Sequence, residues 1–466
     1  MKTSKWGKLH RLLASGLLGL TAILGSVFTV QANEAPAVPA ISQWSISTLH
    51  EGEKYGIFPL AWYYDGTFQK PITADKYEAL LNATAAKLDA LGLKKRGASS
   101  APSVAASQTI TRDAVLHSLY NTLAQYELPE AFEIAKDKPI DYLQKKGIVN
   151  GTKNGLELEQ PCTTEQAAVL ASRLIAYTYD TAQGGAKGLM WKVTKGDNTL
   201  YLLGSIHLGI PEMYPMQKNI REAFQASDTL WVEANLVSRD QETLEYFTNS
   251  MTFSDGSMLK DHVSQETYEK LQKATAKLNL PSHAYDSVKP WAISTNLSLM
   301  TLLSSPDDMV QASTLGIDMY FLQSALLTGK PIHELEGMKL QADIFNNVSL
   351  EEQEKDLNEM LDTILNPTAE TIDSAKEFNQ WQQLWAKGDL DGFTQSFTKS
   401  QQYTETDSAK RLFGERDKNM AAKLAELLEK EGKSTTFVVI GAGHFVIKDM
   451  VIDQLKQKGY QVEFIK

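Results

Sequence analysis

Two matching stretches constrain the fold of this chain more than any other feature of its sequence. In residues 199–208, four hydrophobic residues precede Gly204, and His207 follows three positions later. In residues 436–444 an apolar run again precedes a glycine, Gly441, with His444 three positions after it. Short runs rich in Val, Ile and Leu that end at glycine are typical of buried strands. We therefore predict two buried strands that each end in Gly-x-x-His and bring two imidazoles to the same edge of a sheet.

The segments around these two strands predict an α/β or α+β fold. Residues 195–198 separate two alternating apolar segments, which indicates a hairpin. Further strands are predicted within residues 229–235, 330–336 and 461–465, and helical patterns dominate between them, as in residues 264–328. Because apolar strands alternate with helices, we expect a central, mostly parallel sheet covered by many helices.

The N-terminal residues have the pattern of an export signal. Basic residues precede the apolar run 12–30, and residues 30–32 offer a cleavage site with small residues. This order is typical of a secretory signal peptide. The alternative is an uncleaved membrane anchor, because an apolar run of about 19 residues is long enough to span a bilayer. We expect residues 1–32 to be removed, leaving a secreted protein with no membrane span.

Charge and cysteine content exclude some classes of function. The formal net charge is -11, and removal of residues 1–32 takes away basic residues only. Such an acidic chain is a poor match for phosphate backbones, so we expect no nucleic-acid partner. The single cysteine, Cys162, cannot form an intramolecular disulfide, and its place in an apolar pattern predicts a core position.

Residues 33–180 carry a diverged repeat, divided by an Ala/Ser/Pro-rich linker at residues 97–107. Each copy has a helix, a glycine turn, a short extended piece and a second helix with a threonine at its start. In the two clearest copies, the turn glycine and the threonine at the start of the second helix have nearly the same separation: Thr73 lies 17 residues after Gly56, and Thr163 lies 16 residues after Gly147. A mainly helical N-terminal module is therefore predicted, and residues 181–187 form its linker to the rest of the chain.

This repeat resembles the S-layer homology repeat, which ties secreted bacterial proteins to cell-wall polysaccharide. The resemblance implies cell-wall polysaccharide as a partner and a cell-wall-associated location. The usual motif of that family is Ile-Thr-Arg-Ala-Glu, and only Arg112 keeps its arginine, since Ala74 and Thr164 stand there in the other copies. The alternative is a module with a structural or partner-docking role.

Strand-end histidines permit metal chemistry in residues 188–466. Ligand crevices of open α/β sheets lie beyond the carboxyl ends of the strands, and neutral imidazole binds zinc, cobalt or manganese. His207 and His444 with the carboxylate of Glu233 would form a two-His, one-Glu site with a position open for water. We expect the strand of Glu233 to lie beside the first histidine strand. The alternative for Glu233 is a structural ion pair with Arg416.

Two further residues are candidates for catalytic roles. Glu336 follows a short predicted strand and would act as a general base or as an acid that supports the metal ligands. Arg416, on a helix, would suit a substrate carboxylate or a developing oxyanion. The alternative for Arg416 is a salt bridge on the face of its helix. His333 is a weaker candidate. It neighbours Glu334 and Glu336 on the short strand, from where it would support the metal ligands.

A family resemblance covers residues 188–466 and is carried by motifs in a fixed order. The matching motifs include residues 188–192, 202–207, 289–291, 316–318, 335–336 with Gln341, 415–416 and 441–444. Together they resemble the TraB/PrgY/GumN family, which is similar to the Tiki proteins, metal-dependent proteases with two Gly-x-x-His motifs and an essential glutamate. The resemblance implies an exported metal-dependent hydrolase that acts on a peptide or protein. The alternative is a non-catalytic envelope protein that binds a peptide or small ligand in the same crevice.

Two departures from the family pattern concern the neighbourhood of the site. The family commonly has asparagine where this chain has Asp417, and His444 is followed by Phe445 rather than by Leu-x-Gly. The first is expected to alter a hydrogen bond beside the site, and the second the shape of its rim.

Overall fold

The computed structural model describes residues 40–96, 109–135, 137–302, 311–367, 369–399 and 407–466. The predicted signal peptide at residues 1–32 and the linker at residues 97–107 lie outside the described residues. The chain divides into two compact units, of which the first comprises the described part of Ala32–Ala186 together with Pro211–Arg221. The second unit contains Lys187–Ile210 and Glu222–Lys466.

The first unit is helical, as the repeat pattern predicts. Its helices are α1 (Ile46–Lys54), α2 (Ala74–Asp89), α3 (Arg112–Ala124), α4 (Pro139–Lys145) and α5 (Thr164–Thr181). Gly56 and Gly147 both have a φ of 73°, which confirms the predicted glycine turns, since this left-handed region suits glycine best. Thr163 forms a capping box at the start of α5, whereas the side chain of Thr73 makes no capping hydrogen bond at the start of α2.

Two residues singled out in the repeat are buried. Cys162 lies in the core, as predicted, and burial raises the pKa of its thiol to about 12. The side chain of Arg112 is also buried, and its Nε donates to the carbonyl oxygen of Leu156 at 2.9 Å. In this position Arg112 satisfies a backbone acceptor of its own unit.

The second unit is built on a six-stranded sheet. Its strands are β1 (Leu189–Lys195), β2 (Asn198–Ser205), β3 (Thr229–Val232), β4 (Ile332–Glu334), β5 (Thr435–Gly441) and β6 (Val462–Ile465), in the order β4-β3-β5-β2-β1-β6. Strands β4, β3, β5 and β2 run parallel, and β1 is antiparallel to both β2 and β6. This arrangement confirms the predicted α/β fold class, the mostly parallel sheet and the β1–β2 hairpin.

Helices account for most of the remaining chain. From residue 218 onward they are α6 (Lys218–Ala226), α7 (Gln241–Met251), α8 (Gln265–Lys277), α9 (Pro290–Leu302), α10 (Ile317–Thr328), α11 (Met338–Asn346), α12 (Leu350–Leu365), α13 (Ala369–Lys387), α14 (Leu390–Thr398), α15 (Asp407–Leu412), α16 (Glu415–Glu429), α17 (Gly443–Val446) and α18 (Val451–Gln457). Buried apolar side chains of α7, α8, α9, α11 and α12 form one cluster. Within the described ranges, no helix has both the length and the apolar character needed to cross a membrane.

The position of β3 differs from the sequence prediction. We expected the strand before Glu233 to lie beside the first histidine strand, β2, but β5 lies between them and pairs with both. The side chains of Phe437–Ile440 in β5 are fully buried. A strand that is apolar on both faces is stabilised most in the centre of a sheet, with a neighbour on each side. Glu233 therefore follows a strand beside the second histidine strand.

Candidate active site at the carboxyl edge of the sheet

The two Gly-x-x-His segments leave the sheet at the same edge. Strands β2 and β5 are parallel neighbours, and Ser205 at the end of one lies opposite Gly441 at the end of the other. The chains beyond both strands also approach closely, because a Cβ added to Gly204 would lie 3.1 Å from the Cα of Ala442. Glycine at position 204 permits this approach. His207 and His444 thus both follow the carboxyl end of a central parallel strand, where ligand crevices form.

His207 is oriented by a carboxylate from α10. Its Nδ1 lies 2.5 Å from Oδ2 of Asp318, and the hydroxyl of Ser205 donates to Oδ1 of the same carboxylate at 2.8 Å. Since a carboxylate only accepts, the proton of a neutral His207 ring resides on Nδ1. The lone pair is then on Nε2, which is the arrangement found in histidines that bind metals.

Close backbone packing holds the His207 loop against the start of α10. A Cβ on Gly316 would lie 2.0 Å from the carbonyl oxygen of His207, and one on Gly209 would lie 1.8 Å from the carbonyl oxygen of Leu315. The amide of Ile317 donates to the carbonyl oxygen of Ile206 at 3.1 Å. These contacts give a physical reason for the glycine of the Gly-Ile-Asp motif at residues 316–318, because no larger residue fits there.

His444 is oriented in the same way by α16. Its Nδ1 lies 2.9 Å from Oδ1 of Asp417, and both side chains are buried. The other oxygen of Asp417 accepts the amide proton of Gly414 at 2.8 Å, so the carboxylate is itself fixed. Phe413 packs on the imidazole with ring centroids 4.9 Å apart. The Nε2 atom of His444 is buried and has no hydrogen-bond partner among the described residues.

The electrostatic surroundings of His444 favour its charged form. Burial lowers the pKa of His444, but the carboxylate of Asp417 and, more weakly, that of Glu233 raise it. Their combined effect outweighs burial and the nearby Arg416, and the pKa of His444 lies above its ordinary value. Glu233 is therefore close enough to act on His444 through space.

Two glutamates meet on one arginine beside this histidine. Arg416 donates from Nε and Nη2 to the two carboxylate oxygens of Glu336, at 2.8 and 2.6 Å, which is a bidentate pair. Its Nη2 also lies 3.4 Å from Oε2 of Glu233. Burial lowers the pKa of Arg416, and the carboxylates of Glu336 and Glu233 raise it above its ordinary value. Arg416 is buried, and its guanidinium already donates to the two glutamates. The structure therefore favours a role in holding these carboxylates over the binding of a substrate carboxylate or oxyanion.

The carboxylate of Glu233 is engaged at both oxygens. The amide of Gly441 donates to Oε1, and Oε2 lies 3.4 Å from Arg416 and 3.5 Å from Nε2 of Gln341. Gln341 donates more closely to Glu336, at 2.6 Å. The bond from Gly441 places Glu233 at the end of β5, on the edge of the sheet that carries both histidines. The two contacts of Oε2 are long and therefore weak.

The donors fit a divalent ion in part. Both imidazoles have the carboxylate partner that metal-binding histidines usually have, and the buried Nε2 of His444 lacks any other partner in the described chain. Across the described ranges, however, no three His, Cys, Asp or Glu side chains are grouped as a metal site. Glu233 would become a third ligand only if Oε2 exchanged its weak contacts for the ion.

Sequence reasoning assigned no role to Asp318 or Gln341, although both lie in motifs of the family resemblance, because their partners were not evident from the pattern. Asp417 was singled out only as a departure from the family pattern beside the site, and its partner is His444. His333 is exposed and stacks on Trp231, with ring centroids 4.9 Å apart. The structure therefore does not bring His333 into the cluster.

Comparisons with known proteins found one family model and several relatives. The model of the TraB/PrgY/gumN family matches residues 189–464. Metalloprotease TIKI1 of Danio rerio is 23% identical over 321 residues, which cover 61% of this chain and 64% of the relative. Metalloprotease TIKI2 of Danio rerio is 22% identical over 307 residues, covering 56% and 58%. Uncharacterized protein YbaP of Escherichia coli is 25% identical over 146 residues, covering 31% and 51%.

The chain thus spans less than two thirds of the length of each of these relatives. No solved structure matches the chain. The comparisons give no support to the resemblance between the repeats of the first unit and the S-layer homology repeat, which stays a prediction.

Proposed function

Because the chain belongs to the TraB/PrgY/gumN family, we propose that its second unit is a metal-dependent hydrolase that cleaves peptide bonds. The observation that supports this most is the matched pair of strand-end histidines, each with Nδ1 on an aspartate carboxylate. The similarity to relatives named metalloproteases points the same way. Its substrate, on this proposal, is a peptide or protein.

His207 and His444 would hold the divalent ion, which we take to be Zn, Co or Mn, through Nε2, and Glu233 would be the third ligand. An ion bound there would polarise a substrate carbonyl and lower the pKa of a bound water. When the two imidazoles are neutral, Asp318 and Asp417 hold the proton on Nδ1, and Nε2 is then presented to the ion.

The remaining residues of the cluster control the position of the carboxylates. Arg416 holds Glu336 by two short bonds and Glu233 by one long bond, so Oε2 of Glu233 is the more weakly held carboxylate oxygen. Glu336 is the second acid at the site and would accept a proton only after its bonds to Arg416 and Gln341 loosen. Glu233 is thus the better candidate for contact with the reacting water.

A second candidate function is favoured by the engagement of Glu233 at both oxygens. If Glu233 keeps these bonds, the edge of the sheet has two oriented imidazoles but no acidic ligand. The unit would then be a non-catalytic protein of the cell envelope that binds a peptide or small ligand in the same crevice.

The experiment that tests the proposal measures metal content and cleavage with the full chain. Wild-type protein is supplied with Zn, Co or Mn, and bound metal is determined by mass spectrometry, alongside cleavage of a peptide library. His207→Ala and His444→Ala are expected to lose both metal and cleavage, while the matched control His333→Ala retains both. Wild-type protein that retains no metal contradicts the proposal. Bound metal without cleavage of any peptide favours the second candidate.

We also propose that the protein is exported and acts outside the cytoplasm, in association with the cell wall. The order of basic, apolar and small residues in 1–32 supports export, and the diverged repeats support the wall as a partner. Mass spectrometry of the protein from fractionated cells should find a mature N-terminus at residue 33 in the wall fraction. Intact residues 1–32 in the membrane fraction would contradict cleavage, and free recovery from the medium would contradict wall association.

A further inference from the structure

The first unit contains a surface cavity whose lining is rich in cations. Its volume is about 520 Å³, which is within the usual range of small-molecule sites. Lys146, Arg173 and Lys218 line it, together with Tyr177 and Asp180. Such a concentration of positive charge stands out in a chain whose formal net charge is -11. The cavity takes no part in the site described above.

Arg173 is the central feature of this cavity. It lies on α5 at the spacing of one helical turn from Tyr177, so both side chains are on the same face. The guanidinium is partly buried, yet it has no hydrogen-bond or ion-pair partner among the described residues. Burial alone lowers the pKa of Arg173, which agrees with the lack of a carboxylate beside it. Its five N–H donors therefore have no acceptor among the side chains and backbone of the described residues.

Lys146 is a second cation of the lining, and it is held in place. Nζ of Lys146 lies 5.8 Å from the ring centroids of both Tyr142 and Tyr177, and its side chain is 15% exposed. It donates to Glu133 at 2.9 Å, but that carboxylate is 61% exposed, so water weakens the pairing. Lys146 is thus a fixed positive charge with only a solvated counter-charge.

The carboxylate in the lining does not neutralise the cavity. Asp180 forms an ion pair with Arg221, which adds a further cation beside the lining. Lys218 comes from Pro211–Arg221, a segment outside the repeats but within the same compact unit. The lining thus has three cations and one carboxylate, and Arg173 is the cation without a partner among the described residues.

We propose that this cavity binds a small molecule through an anionic group, a carboxylate or a phosphate, with Arg173 as the bidentate donor. Planar guanidinium matches both anions, because each presents two oxygens at the spacing of its fork. Lys146 and Lys218 supply point charges around the bound group. The proposal depends neither on the hydrolase function nor on the resemblance of the repeats.

Calorimetric titration of the full chain with inorganic phosphate, glucose 6-phosphate, glucuronate and neutral glucose tests this inference. We expect at least one anion to bind with a dissociation constant below about 10 mM, more weakly at high salt, and neutral glucose to give no heat. Binding of phosphate or glucose 6-phosphate alone identifies the anion as phosphate, and binding of glucuronate alone identifies it as carboxylate.

Arg173→Gln should weaken binding about tenfold or more, because a charge-assisted bidentate pair is lost. The matched control is Lys145→Gln, which removes the same charge next to Lys146 from a side chain that is 74% exposed. This control should change affinity less than about twofold. Because Arg173 has no partner, its replacement should leave the melting curve unchanged. Equal binding of glucose and the anions, no binding at all, or unchanged affinity in a folded Arg173→Gln protein would each overturn the proposal.

Discussion

Asp417 and His444 form a buried pair in which Oδ1 of the aspartate lies 2.9 Å from Nδ1 of the histidine. The family resemblance leads one to expect asparagine at position 417, where this chain has aspartate. An asparagine oxygen also accepts from Nδ1, but it carries no charge. This chain therefore has a stronger electrostatic hold on His444 than that family pattern implies.

Asp417→Asn should lower the pKa of His444 in the metal-free protein. The carboxylate of Asp417 raises that pKa, and its removal leaves the opposing effect of burial. We expect the pKa to decrease, measured from the imidazole resonances by NMR as a function of pH. Glu334→Gln, on the exposed end of β4, is the control and should leave the titration of His444 unchanged. A pKa that is the same in wild type and Asp417→Asn would show that the pair does not control this histidine.

Glu336→Gln should destabilise the second unit by roughly 3 kcal/mol, because Arg416 would lose the charge of its bidentate partner inside the protein. The change in the free energy of unfolding is measured by urea denaturation. Glu334→Gln is again the matched control, since Glu334 is exposed and accepts one amide proton, from Asn235. Its cost should be about 1 kcal/mol or less. Equal effects of the two substitutions would argue against a structural role for the Glu336–Arg416 pair.

Gly316→Ala should destabilise the protein more than Gly204→Ala does. The added Cβ would lie 2.0 Å from the carbonyl oxygen of His207 in the first variant, and 3.1 Å from Ala442 in the second. Overpacking of this kind costs about 1–3 kcal/mol, and the shorter approach requires the larger backbone shift. Urea denaturation of both variants gives the comparison. A Gly316→Ala protein as stable as wild type would mean that the His207 loop moves freely away from α10.

Asp356→Asn should stabilise the protein at neutral pH. Burial is the main cause that raises the pKa of Asp356 in the folded protein to about 6, from an ordinary value of 3.8. The folded state thus binds a proton more tightly than the unfolded state, so stability falls as pH rises from about 4 to about 6 and is constant above that. After allowance for solvent screening of a partly exposed group, we expect a gain of roughly 1–2 kcal/mol at pH 7.5.

The measurement for Asp356→Asn is the free energy of unfolding at pH 4 and pH 7.5. The gain should be present at pH 7.5 and absent at pH 4, where Asp356 of the folded protein is already neutral. Glu463→Gln, an exposed carboxylate on β6, serves as the control and should show no such pH dependence. A gain of the same size at both pH values would exclude titration of Asp356 as its cause.

Local sequence patterns were sufficient for the elements that carry the site. The apolar runs of β2 and β5, with Gly204 and Gly441 after them, predicted two buried strands and two histidines on one edge of a sheet. These signals are local, because burial of a strand and the turn that follows it depend on neighbouring residues. The hairpin of β1 and β2 and the helical character of the repeats are in the sequence for the same reason.

Only the tertiary structure decided which residues meet. Asp318 lies 111 residues from His207, and Arg416 lies 183 residues from Glu233, so their pairing depends on how distant helices pack at the edge of the sheet. The insertion of β5 between β2 and β3 was likewise not evident from the order of strands, because several orders bury the same apolar residues. The sequence by itself determined that two histidines end buried strands. The packing determined that an aspartate orients each of them and that Arg416 holds Glu336 by two short bonds.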